Sequence, residues 1–131
     1  MALTEEQRTP PKGAQENAKK ALRWREEHPK DTEGAGTQVG WTRATQLAKG
    51  GALSEDVIKR MAAFNRHRQN AEIAEEYKGT PWKDHGYLMW LAWGGTVGID
   101  WALRMSKKIT EGKSMANMIR KSFEFEVWNL L

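Results

Sequence analysis

Three histidines, a scattered set of carboxylates and one glycine-rich run are the residues of this chain whose types permit catalysis or ligand binding. His28, His67 and His85 lie far apart without ligand-like spacing, and there is no cysteine, so disulfides and thiolate metal sites are excluded and a metal enzyme is not expected. Glu26, Glu27, Glu55, Asp56 and Asp84 stand in charge clusters or at helix starts, where a carboxylate is solvated or caps backbone. Asp100 alone stands in apolar company. Burial there would raise its pKa toward that of a general acid, whereas Arg104, one turn later, offers the commoner outcome of an i,i+4 ion pair. His67, between Arg66 and Arg68, suits a general base or, more simply, a basic and solvated helix face. The run GGTVG at residues 94–98 lacks the GxGxxG spacing, follows a helical rather than a strand pattern and has no P-loop Lys-Ser/Thr. Its glycines suit a tight helix-to-helix turn with close backbone approach beneath Trp93 and Trp101. No residue is assigned a catalytic, cofactor-binding or metal-binding role.

The elements that must position these residues read as helices. A chain of 131 residues suffices for one domain with a modest core, and no segment sustains the alternation of apolar and polar residues that marks a strand. Residues 87–103, YLMWLAWGGTVGIDWAL, hold three of the seven tryptophans. This stretch is shorter than the roughly 20 apolar residues a bilayer needs and is broken by Gly94-Gly95, so a buried helical hairpin is expected rather than a membrane span. Residues 1–10 are polar and end in Pro10-Pro11, the composition of an extended arm without a secretion signal, and a cytoplasmic origin is expected. Ala14, Ala18, Ala21, Leu22 and Trp24 then follow helical spacing until Pro29 closes the helix.

Thr37 is a plausible N-cap for a second helix bearing Val39, Trp41, Ala44, Leu47 and Ala48, ended by Gly50-Gly51. Ser54 caps a third, with Glu55 and Asp56 complementing the dipole of its first turn and Val57, Ile58, Met61 and Ala62 on its face. Beyond Phe64 the charged sequence NRHRQNAEIAEEYKG either continues as an exposed helix or breaks near Asn70. Asp84 is a candidate cap for a short apolar helix over 86–93, and Thr96 for one running to about Ile109. A last helix is expected over 114–131, with Met115, Met118, Ile119, Phe123, Val127 and Leu130 at helical spacing and Phe125 and Trp128 broadening the apolar surface. It either docks on its own core or is offered to a neighbour.

Residues 45–61, TQLAKGGALSEDVIKRM, resemble a helix-turn-helix, although the glycines fall two and three residues after Ala48 instead of four. With a formal charge of +4 and a pI near 9.4 the chain favours acidic partners, and Lys59, Arg60, Arg66 and Arg68 could contact phosphates. An ordinary αα-hairpin is the competing reading of the same segment.

The segments PPKGAQENAKKALRWREEH, GTQVGWTRATQLAKGGALSEDVIKRMAAFNRH and GYLMWLAWGGTVGIDWA together resemble a small helical domain encoded in tailed-phage genomes, as a free protein or with head-morphogenesis proteins. The likeness spans about residues 11–103. It rests on Leu22-Trp24, Gly40-Trp41 with Arg43-Ala44, Leu53-Ser54, Arg60-Met61, Arg66-His67, Trp93-Gly94-Gly95, and Gly98 before Trp101-Ala102. Thr96 and Arg68 depart from it, since acidic residues are expected at both places. The resemblance implies a virion or head-assembly component rather than a metabolic enzyme.

The resulting expectation is an all-α protein: a small bundle of five to six helices with a Gly-Gly hairpin, an arm over 1–10, a helical domain over 11–109 and a C-terminal helix or tail over 110–131. Trp82, Trp90, Trp93 and Trp101 are expected to build the core, with Phe125 and Trp128 at the core or an interface. The function implied is that of a non-enzymatic virion structural protein, a minor capsid, cement or decoration component present in many copies. Its expected partners are capsid or other virion proteins and its expected location the virion, after assembly in the host cytoplasm. DNA binding through the 41–68 hairpin is the alternative.

Overall fold

A computed structural model describes the backbone of residues 2–130 and the side chains of residues 2–124. Phe125 and Trp128 therefore lie outside the described side chains. The chain is all-α, with five α-helices, three short 3-10 helices and no strand among the described residues.

Helix α1 (Lys12–Glu27) is the central element, and α2, α4 and α5 all pack on it. Its inner face is Ala14, Ala18 and Ala21, each 0% exposed. A stripe of methyl groups lets neighbouring backbones come close, and the 94–98 turn uses this: a Cβ on Gly98 would stand 3.0 Å from that of Ala14. The Asn17 amide donates to the Gly94 carbonyl (3.0 Å), tying the turn to α1. Gly94 and Gly95 have φ of 108° and 66°, a left-handed pair that reverses the chain between α4 and α5, as the sequence implies.

Three of the four predicted caps hold. Thr37 accepts from Gly40 N at the start of α2 (Gln38–Lys49), Ser54 from Val57 N at the start of α3 (Glu55–Ala63), and Asp84 from Tyr87 N at the start of α4 (His85–Ala92). The last five residues of α4 are buried on all sides: Leu88, Met89, Trp90, Leu91 and Ala92 are all in the core. That stretch shows no amphipathic period because it has no solvent face. Between α3 and α4 the charged stretch forms a 3-10 helix, Phe64–Ala71, kinked at His67 (φ −103°, ψ 22°), and two further short ones at Glu75–Tyr77 and Pro81–Lys83. The break near Asn70 is thus the alternative realised.

Several expectations are corrected. The helices predicted over 96–109 and 114–131 are one helix, α5 (Gly95–Leu130), because residues 110–113 contain no proline and an interior glycine costs only about 1 kcal/mol. Thr96 lies inside α5 and accepts a hydrogen bond from Trp90 Nε1 (3.1 Å) instead of capping. Helices α2 and α3 do not pack on each other; α2 lies on α1 and α3 on α5, so neither a helix-turn-helix nor an αα-hairpin forms. Gly50 and Gly51, with φ of 73° and 89°, turn the chain away instead of folding it back.

The arm over 1–10 is folded onto the body. Leu53 N donates to Arg8 O (2.9 Å), Arg8 Nη1 returns a bond to Leu53 O (2.8 Å), and Pro10 is buried. Val39 is 51% exposed and so is not a core residue.

Candidate functional site

Two surface features stand out once the core is placed. The first is the outer half of α5. Ile99, Trp101, Ala102 and Ile109 bury its inner half, after which every residue of 110–124 except Gly112 is exposed. Met115, Met118, Ile119 and Phe123 are 65–69% exposed and fall at helical spacing on one stripe. The folded-back N-terminal segment, through Leu3 and Gln7, forms with Met115, Ile119 and Phe123 a groove of about 1060 Å³. A contiguous apolar stripe of this kind on a helix marks a contact surface in soluble proteins.

The second is a cleft of about 580 Å³ between the start of α2, the end of α3 with its 3-10 extension, and the start of α4. Its apolar side is Val39, Phe64, Met89 and Trp93, and Arg60, Arg66, His67, Asn70 and His85 supply its polar atoms. Phe64 stacks on Trp93, ring centroids 4.5 Å apart and planes 9° from parallel. The guanidinium of Arg43 lies 5.0 Å from the centroid of Trp93. Arg43 is only 5% exposed; it donates to Gln46 Oε1 (2.6 Å), but its Nε is buried without a partner. Burial, with the nearby Arg60 charge adding to it, holds the Arg43 pKa below its ordinary value. Glycine permits the close approach in this corner: a Cβ on Gly40 would stand 2.8 Å from Met89 Sδ and one on Gly86 2.8 Å from Asn70 Oδ1, so either side chain would have to shift.

Of the residues expected to matter, the cleft gathers Trp93, Arg60 and Arg66. Trp90 and Trp101 are buried in the core as expected, at 1% and 5% exposure. Trp82 is not a core residue. It is half-buried on the rim, stacked on His28 at 3.9 Å and donating to Asp31 Oδ2 (2.9 Å), a clasp that holds the 28–35 loop. Trp41 takes a core place, 6% exposed, with Nε1 donating to Ala35 O (3.1 Å).

The four basic residues do not form one face. Arg60 pairs with Asp56 at 2.9 Å, and Lys59 stands against Lys113 of α5, whose close side-chain contact and charge lower the Lys59 pKa. Arg68 pairs with Asp100, and its guanidinium lies 5.6 Å from the centroid of Trp90. Asp100 thus finds a partner from the 3-10 segment rather than the predicted Arg104. The sequence pattern missed Phe64, Asn70 and Met89 as cleft residues, because two different elements bring them together.

Among the described residues no cluster of three or more His, Asp or Glu is placed to hold a metal, and no helix is long and apolar enough to cross a membrane. No family model, curated protein or solved structure matches the chain.

Proposed function

We propose that this chain is a non-enzymatic assembly protein, a minor capsid, cement or decoration component of a bacteriophage virion, that grips its neighbours through the outer half of α5. One observation carries the contact role: Met115, Met118, Ile119 and Phe123 form an apolar stripe on the outer half of α5 that stays 65–69% exposed, with only the edge of the N-terminal segment beside it among the described residues. The stripe from Met115 to Phe123 runs about 12 Å along the helix, enough to seat on a partner groove or helix. Covering these side chains would contribute roughly 1.5–3 kcal/mol for each one fully buried, before association costs. The likeness of residues 11–103 to the phage domain supplies the virion context. Capsid or other virion proteins, met in many copies, are the partners this reading requires.

The test is co-sedimentation with capsids or capsid subunits of the encoding phage. The wild-type chain is expected in the pellet, and the Met118→Glu, Phe123→Glu double variant in the supernatant with unchanged circular dichroism. A folded wild-type chain that stays in the supernatant overturns the proposal.

A further inference from the structure

The cleft beside Trp93 has a composition the assembly role does not call for. Two arginines and two histidines line it, and no carboxylate does. Two acidic groups on the elements that form its wall are already engaged. Asp56 pairs with Arg60 on the exposed side of α3, and Asp84 accepts from Tyr87 N (3.1 Å) and Ala74 N (2.8 Å) as the cap of α4.

Arg66 is the freest charge. Its Nη1 reaches only the Ala63 carbonyl (3.0 Å), and none of the ion pairs among the described residues includes it. Behind the wall, Arg43 adds a third guanidinium whose buried Nε has no partner. Arg60 keeps its Asp56 partner, so Arg66 is the lining arginine without a counter-charge; such a cation beside a concavity raises the local concentration of anions, and guanidinium forks match the oxygens of a phosphate. Opposite them, Val39, Phe64 and Met89 offer an apolar wall, and the cleft volume of about 580 Å³ lies in the range of small-molecule sites.

The geometry points to this cleft as a binding site for a compact organic phosphate, its anionic head held by Arg66, Arg60 and His67 and its apolar body against Val39, Phe64 and Met89. Neither half suffices alone. A bare phosphate leaves the apolar wall wet, and a neutral apolar molecule leaves the guanidinium groups unpaired. The site lies apart from the outer half of α5, so ligand binding and assembly are separable.

The experiment uses the full-length isotope-labelled chain and three probes: phenyl phosphate, inorganic phosphate and phenol. Phenyl phosphate is expected to cause saturable amide shifts at Thr37, His67 and Gly86, and to bind about tenfold more tightly than either fragment. Arg66→Gln is expected to weaken it about tenfold, the scale of one charge-assisted hydrogen bond. Val39→Glu, which places a carboxylate at the exposed rim, removes binding, whereas Phe123→Ala on α5 leaves it unchanged. Both cleft positions are exposed, so these variants fold. Three results overturn the inference: no saturable shift with phenyl phosphate, equal binding of all three probes, or shifts that survive both cleft substitutions.

Discussion

The two halves of α5 both carry large apolar side chains, and these meet opposite fates. Ile99, at 0% exposure, and Ile109, at 3%, lie on the half of α5 that packs against α1 and α3, while Ile119, ten residues further along the same helix, is 65% exposed. Propensity and pattern do not distinguish them. The difference is whether other elements lie alongside, and these end where α3 and the folded-back N-terminal segment end. A helix face is therefore core or contact surface according to what the rest of the chain can reach.

The largest expected effect tests that contrast directly. Trp90→Ala, in the body, should cost about 3–5 kcal/mol of unfolding free energy, because the cavity left among α4, α5 and the 3-10 segment collapses only in part. Phe123→Ala, on the outer half, should stay within about 0.5 kcal/mol in the isolated chain. Urea denaturation of both variants measures the gap, and equal losses would show that the outer half is packed after all.

A smaller effect is expected where the 3-10 segment meets α5. The Arg68–Asp100 pair is close to half exposed on both sides, so Asp100→Asn should cost no more than about 1 kcal/mol. A larger loss would mean that this pair, rather than apolar packing, fixes the direction in which α5 leaves the body. A thermal melt with the Arg68→Gln variant alongside resolves the two.

The smallest effect concerns Lys59 and Lys113, two ammonium groups facing each other across α3 and α5. Their repulsion lowers the Lys59 pKa in the folded state below the ordinary 10.5, so the unfolded chain holds more protons in that window. Stability from this site is accordingly lowest below the depressed folded pKa and recovers as pH rises toward 10.5. Lys113→Gln should raise the melting temperature slightly at neutral pH, with the gain shrinking in alkaline buffer. A gain that is constant with pH would assign the effect to helix propensity instead.

Much of the fold was legible because its signals are local. Thr37, Ser54 and Asp84 cap helices through bonds three residues long, and the Gly94-Gly95 turn needs backbone angles that glycine alone adopts readily. The places that misled were those where a local signal has two outcomes. Trp82 has the size of a core residue, yet its ring found His28 and its indole nitrogen Asp31, so it closes a loop at the surface. Asp100 had Arg104 within one helical turn, but Arg68 comes from a different element and sits against the Trp90 ring as well.

By itself the sequence determined that the chain is helical, where α2, α3 and α4 begin, and that its core is built on tryptophan and alanine, since capping, glycine angles and apolar period act over a few residues. Tertiary structure alone decided that α2 and α3 part instead of pairing, that Phe64, Met89 and Arg60 share a cleft, and that the apolar face of α5 runs out past its neighbours. Those outcomes depend on which distant segments compete for the same surface, and neighbouring residues carry no record of that competition.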